Sequence, residues 1–399
     1  MPTINEINSY NEGTSFPAEN YNDTYLATKH IQDYRLELPE NLVETLKQKI
    51  KDEDIFLEND DTVEQIVAGI LNGNIILQGP PGTGKTTLAT IIADTFNVDF
   101  DIITAVSDWT TYDTLGGLQP AVDDDGNEII CGKNGRVVDS VLKCCNTVLS
   151  KEINGTSDKQ GNWLIIDELN RTEIDKVFGD LFTSLGSDDE KIRKINLWFA
   201  EEENKKTLYI PNRFRIIGLM NNADKSYTYD FSHALARRFY IINVLPPKEE
   251  QIQNELVNVK NKVKKKILKT INEFESISID ESFIDNIFTN SDFCLVESKM
   301  IELLKTIRYK NDEDDAYLNI QFGTAQLIDL YKSIVVKVIV KNRVLTQNEY
   351  EQIVDIAVAE NIIPQIDGVD LTKLKEFSNH LNSNYSNYKH CKESLENLL

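Results

Sequence analysis

The chain has 399 residues, enough for a sizeable buried core and two or three domains. Acidic residues outnumber basic ones 65 to 42 for a formal net charge of -23, so the chain as a whole is repelled by nucleic acid, and any DNA contact must come from a local basic patch or a partner. Five cysteines without Cys-x-x-Cys spacing and four scattered histidines argue against a zinc or disulfide framework and fit a reducing, cytoplasmic compartment.

The first residues lack a basic-then-apolar leader, and the apolar run Ile334 to Val340 is short and interrupted by Lys337, so neither a signal peptide nor a membrane span is expected. Residues 1 to about 35 are rich in Asn, Glu, Ser and Thr, a composition that predicts a mobile arm or a partner-docked segment. Leu42, Leu46 and Ile50 predict a short helix, and Val63, Ile66, Val67 and Ile70 predict a second.

The apolar run Asn74 to Gln78 reads as a buried strand. It leads into Gly79-Pro80-Pro81-Gly82-Thr83-Gly84-Lys85-Thr86, with a helix opening at Thr87. This is the spacing of a phosphate-binding loop. Its glycines let backbone N–H groups wrap a polyphosphate at the positive end of the following helix, Lys85 reaches the β- and γ-phosphates, and the Thr86 hydroxyl holds Mg²⁺.

Phe100 to Thr104 predicts a strand. Glu128 to Ile130 and Arg136 to Val138, around a turn at Gly132 to Gly135, predict a hairpin, with a helix over Asp139 to Leu149. Trp163-Leu164-Ile165-Ile166-Asp167-Glu168 is an apolar strand ending in two carboxylates, the expected companion of a phosphate loop. Asp167 then joins the Mg²⁺ shell, and Glu168 orients and deprotonates the attacking water. Ile174 to Leu185 has one apolar helical face, and Leu197 to Phe199 with Thr207 to Ile210 reads as a second hairpin. The strand Phe214 to Leu219 runs into Met220-Asn221, where the Asn221 amide either positions the hydrolytic water or caps a loop.

Arg237 and Arg238 follow a short helical stretch from Ala234. They are either a solvated helix end or arginine fingers completing a neighbouring subunit's site. Pro246-Pro247 marks a boundary, and beyond it the sequence is helical, from Ile252 to Ile271 and over Ser298 to Arg308, Gly323 to Val340, Asn348 to Ala359 and parts of Leu371 to Leu399. Six lysines between Lys260 and Lys269 mark either a solvated face or a patch for DNA or a partner.

Together these motifs resemble the AAA+ ATPases over about residues 60 to 345, within them the dynein-related and MoxR-like branch, and most closely the McrB-like nucleotide-hydrolysing subunits of methylcytosine-dependent restriction systems. Leu115-Gly116-Gly117, Ile166 to Arg171, Lys176 to Asp180, Met220 to Asp224 and Ala236 to Phe239 carry the closer likeness. The resemblance implies an α/β P-loop NTPase core, a parallel sheet flanked by helices, over residues 36–245. A helical lid over 246–345 follows, then a helical extension over 346–399, with the arm at 1–35 in front. It also implies a homo-oligomeric ring, usually a hexamer, with nucleotide between subunits and the hairpins facing the axis or a partner.

On this resemblance Gly79, Pro80, Pro81, Gly82, Thr83, Gly84, Lys85, Thr86 and Thr87 bind nucleotide, Thr86 and Asp167 hold Mg²⁺, and Glu168, Asn221, Arg237 and Arg238 are catalytic. Both ATP and GTP stay open as substrates. Phe322 to Leu327 lacks the arginine that many relatives' lids supply, and the residues ahead of the match leave no room for a large DNA-reading domain. The expected function is hydrolysis by a ring that drives or switches a separately encoded effector, a nuclease in restriction or anti-phage defence being favoured. A MoxR-like chaperone and a nucleotide-dependent scaffold with little turnover are the alternatives.

Overall fold

The computed structural model describes residues 28–399 apart from 30, 60, 123–125, 180, 188, 190, 222–236, 272–278, 312, 313 and 315. The chain divides into two compact units. The first comprises residues up to Ile50, Asn59–Gly79 and Lys85–Val244; the second comprises Lys51–Glu58, Pro80–Gly84 and Leu245–Leu399.

The first unit is a parallel sheet with helices. In chain order it runs α1 (Leu42–Asp52), α2 (Asp61–Asn72), β1 (Asn74–Gly79), α3 (Lys85–Thr95), β2 (Asp99–Thr104), α4 (Thr111–Thr114), β3 (Gly116–Val122), β4 (Glu128–Asn134), α5 (Arg136–Glu152), β5 (Asn162–Asp167), α6 (Ile174–Phe178), α7 (Leu181–Leu185), β6 (Lys194–Asn196), β7 (Thr207–Tyr209), β8 (Ile216–Asn221) and β9 (Phe239–Asn243). The main sheet has the order β2-β5-β8-β1-β9, every pairing parallel. Ile75, Ile76 and Leu77 in β1 and Ile165 and Ile166 in β5 are fully buried, as strands covered on both faces require.

Four local expectations are corrected. Arg136 to Val138 is the first turn of α5, not a strand: Val137 and Val138 are fully buried on the same face as Val141 and Cys145, a helical spacing. The hairpin partner of β4 is instead β3, with Gly116 opposite Asn134 and Val122 opposite Glu128. The second ribbon pairs Lys194–Asn196, not Leu197 to Phe199, with Thr207–Tyr209. The helix over Ile174 to Leu185 is broken in two at Gly179, whose φ of 41 and ψ of -120 no helix contains.

Residues 28 to 35, read from composition as the end of an arm, pack against the first unit. Ile31 is fully buried in its core, the Asn212 N–H donates to the Gln32 carbonyl at 2.8 Å, and Arg213 Nε donates to the Arg35 carbonyl at 2.7 Å. Residues 1–27 lie outside the described residues, as do Asn222 to Asp224 and Ala234 to Ala236.

The second unit is helical beyond Val244: α8 (Ile252–Ile271), α9 (Glu281–Thr289), α10 (Ser291–Arg308), α11 (Thr324–Lys341), α12 (Gln347–Asn361), α13 (Leu371–Asn384) and α14 (Lys389–Glu396). Its core takes Leu256, Val259 and Val263 from α8 and Leu303, Leu304 and Ile307 from α10. Within the lysine run on α8, Lys260 pairs with Glu297 at 2.8 Å, Lys264 with Asp285 at 3.0 Å and Lys265 with Asp54 at 2.9 Å. Three of the six charges are thus committed inside the chain, which favours the solvated-face reading. No helix among the described residues is long and apolar enough to cross a membrane.

Candidate active site

Three neighbouring strands of the parallel sheet deliver polar residues to one edge. β1 ends at Gly79, β8 ends beside it at Asn221, and β5 on the other side of β8 ends at Asp167. The carboxyl edge of an open α/β sheet is where ligands bind. Lys85 and Thr86 form the first turn of α3, whose leading N–H groups have no acceptor within the helix.

Lys85 is buried, and its ammonium donates to the Gly79 carbonyl at 3.0 Å. Burial pushes its pKa down to about 8, while the Asp167 and Glu168 carboxylates pull the other way. An anion brought to this ammonium restores what burial removed.

The Thr86 hydroxyl donates to Asp167 Oδ2 at 3.2 Å. A hydroxyl beside a carboxylate is a pair of hard oxygen donors, and these residues fit Mg²⁺, which takes one or two protein oxygens and completes its shell with phosphate and water. No group of three or more His, Cys, Asp or Glu among the described residues is arranged to hold a metal ion.

Glu168 has φ 54 and ψ 37, the left-handed region that a glutamate enters only when its surroundings impose it. Asp167 Oδ1 accepts from the Glu168 N–H at 2.9 Å. The Glu168 carboxylate is held on both oxygens, by Asn221 Nδ2 at 2.6 Å and by Arg171 Nε at 3.2 Å. Asp167, Glu168 and Asn221 are therefore brought together at this edge.

Asn170 and Arg171 are functional neighbours that the sequence reading did not assign. Asn170 is buried, donates to the Asn221 carbonyl at 3.0 Å and accepts from the Asn221 N–H at 3.4 Å, so it fixes the tip of β8. Gly218 permits this approach, since a Cβ there would lie 2.6 Å from Leu169 Cδ2. The available signal was position: both residues sit in the turn that directly follows the carboxylates.

In the loop itself the Thr83 hydroxyl donates to the Pro80 carbonyl at 3.1 Å, and Gly82 and Gly84 have φ of 77 and 82, conformations that favour glycine. Thr87 is exposed on the outside of α3.

Arg237 and Arg238 lie elsewhere. They precede Phe239, which pairs with Asn74 at the start of β1, whereas the phosphate loop leaves the other end of that strand. A six-residue strand spans about 17 Å, beyond the reach of an arginine side chain, so these residues do not serve their own chain's loop. Arg238 donates to the Phe182 carbonyl at 2.7 Å and lies over the Phe182 ring at 5.5 Å, while Arg237 is exposed. Together with Arg193 and Ser187 they line a cleft of about 420 Å³ at this edge.

Residues 74–239 match the family described as AAA domain (dynein-related subfamily). The chain is a P-loop NTPase. The match begins at the first residue of β1 and ends at the first of β9, so it takes in the loop, both carboxylates, Asn221 and both arginines. Among solved structures, the chain is similar to a candidate ATPase from Cytophaga hutchinsonii ATCC 33406 at 17% identity, over 90% of this chain and 97% of that one, with a TM-score of 0.33. No curated protein matches the chain.

Proposed function

We propose that this AAA-domain NTPase works as a homo-oligomeric ring, hexameric in the family's usual form, and that hydrolysis in the ring drives or switches a separately encoded effector. A nuclease in a McrB-like restriction or anti-phage system is the favoured effector. The observation that carries the oligomeric part is the separation of Arg237 and Arg238 from their own loop by the length of β1. In a head-to-tail ring each protomer offers one edge to the next. Arg237, exposed and not committed to Phe182 as Arg238 is, is the finger.

Within a protomer, the loop amides and Lys85 bind and orient the triphosphate, and Thr86 and Asp167 hold Mg²⁺. When bound, that ion neutralises charge on the phosphate oxygens. Glu168 accepts the proton of the attacking water, Asn221 aligns that water, and Arg237 of the neighbour stabilises charge as the phosphoryl group departs. The nucleotide is ATP or GTP.

One feature favours a protein over DNA as the ligand of the β3–β4 ribbon. Leu118, Val122, Ile129 and Ile130 on it are all exposed, between 40% and 68%. Aliphatic side chains on a strongly acidic chain suit a protein surface. That supports an effector protein, and equally the second reading, a MoxR-like ATPase that remodels a protein.

Steady-state hydrolysis of ATP and GTP across protein concentration, with mass followed by light scattering, tests the proposal. Turnover per chain should rise as the assembly forms. Turnover that is constant from monomer to oligomer would reject completion of the site in trans.

A further inference from the structure

The second unit contains a buried charge cluster that the hydrolytic chemistry does not use. Glu255 of α8 and Arg308 at the end of α10 are 0% and 2% exposed, and they meet through two hydrogen bonds of 2.6 and 3.2 Å. The Thr324 hydroxyl donates to the same carboxylate at 2.7 Å. The Arg308 guanidinium also lies 5.1 Å from the Phe322 ring centre. Burying such a pair is costly, and it is a weak device for stability alone. What it does here is grip the turn from Phe322 to Thr324.

That turn touches the tip of the phosphate loop, which belongs to the same unit. The Gly323 N–H donates to the Pro81 carbonyl at 3.0 Å, and the Ala325 N–H in the first turn of α11 donates to the Gly82 carbonyl at 2.9 Å. The approach is close enough to exclude any side chain: a Cβ on Gly323 would lie 2.1 Å from the Gly82 carbonyl carbon and 2.3 Å from the Thr83 nitrogen.

A trans peptide is planar, with its C=O and N–H pointing in opposite directions. Fixing the Pro81 and Gly82 carbonyls toward the turn therefore fixes the Gly82 and Thr83 N–H groups away from it. Those two donors belong to the loop that wraps the phosphates.

We propose that Glu255, Arg308 and Thr324 are positioning residues for nucleotide binding. Through the Phe322–Ala325 turn they set the peptide planes at 81–83, so that two amide donors are aimed before the triphosphate arrives. The proposal rests on the phosphate reading of the loop.

The test uses the full chain and the fluorescence of mant-ATP and mant-GTP. Thr324→Val should weaken nucleotide affinity by about tenfold, the loss expected for one hydrogen bond to a charged group. Thr324→Ser should restore affinity, and turnover at saturation should change far less than affinity in both. Gly323→Ala should weaken affinity more than Thr324→Val.

Glu297→Gln serves as the control. It alters another buried carboxylate of this unit, which accepts from Lys260 and Tyr331, and should lower the melting temperature without weakening affinity. Wild-type affinity in Thr324→Val and Gly323→Ala would overturn the brace while leaving the phosphate loop in place. So would losses in Glu297→Gln that match theirs at equal melting temperature. A wild-type chain that binds neither nucleotide would overturn the phosphate reading itself.

Discussion

The two edges of the parallel sheet differ in how complete they are. At the carboxyl edge Thr86, Asp167, Glu168, Asn170, Arg171 and Asn221 are tied to one another by hydrogen bonds. At the amino edge Arg238 is bound to Phe182 and Arg237 points to solvent beside an open cleft, about a strand's length from any phosphate this chain can bind. On the reading we propose, the carboxyl edge takes one further cation and the amino edge offers that cation to a neighbouring protomer. In the proposed ring, binding belongs to the protomer and fast hydrolysis to the assembly.

The largest expected effects fall at the carboxyl edge. Lys85→Ala should abolish measurable nucleotide binding, whereas Glu168→Gln should bind and assemble while turnover drops by roughly 10²–10⁴, the usual contribution of a general base. Normal steady-state turnover by Glu168→Gln would remove that residue from the chemistry.

Next come the arginines. Arg237→Ala should leave the monomer's nucleotide affinity and melting temperature unchanged and reduce assembly-dependent turnover by about 10³ or more, as loss of an arginine finger does. Arg238→Ala should instead lower the melting temperature, because its side chain packs on Phe182 and against Gly186. The reverse pattern would exchange their roles.

Asn170→Ala should give a smaller, mixed result. It removes two hydrogen bonds to the Asn221 backbone, so stability should fall by about 1–3 kcal/mol, and turnover should fall while KM moves little.

The smallest effect is a proton. With its pKa at about 8 in the free chain, Lys85 is charged at pH 6.5 and partly neutral at pH 8.5. A bound triphosphate favours the charged form, so binding at pH 8.5 should take up a fraction of a proton and binding at pH 6.5 none. Calorimetry in buffers of different ionisation enthalpy measures this, and Lys85→Arg should abolish it. In stability terms the unfolded lysine holds its proton above the folded pKa. The free fold should therefore gain stability from this group as pH rises from about 8 toward the ordinary lysine value, not lose it.

The carboxyl edge was far more legible in the sequence than the rest. Apolar runs ending in Gly79, Asp167 and Asn221 identify strands that are buried along their length, and a parallel sheet brings their ends together without further information. The exposed β3–β4 ribbon has no such run. Gly116, Gly117 and Pro120 are poor strand formers, and Val137-Val138 suits a strand as well as a helix until Val141 and Cys145 are counted with it.

Ile31 was hidden in a polar stretch, because one buried isoleucine does not change a composition. Leu197 and Phe199 alternate with an exposed Trp198 as a strand would, yet they form a turn after a ribbon of only three residues per strand. Asn170 was beyond pattern reading, since its partner is the backbone of a strand 51 residues away.

The most direct test of completion in trans is to mix two inactive variants. Lys85→Ala cannot bind nucleotide but keeps Arg237, and Arg237→Ala binds nucleotide but offers no finger. Random mixing at equal amounts should leave roughly a quarter of head-to-tail interfaces with an intact site facing an intact arginine. Turnover should therefore reappear in the mixture, well above that of either variant alone. Mixed assemblies that form by light scattering and stay inactive would contradict the division of labour between the two edges.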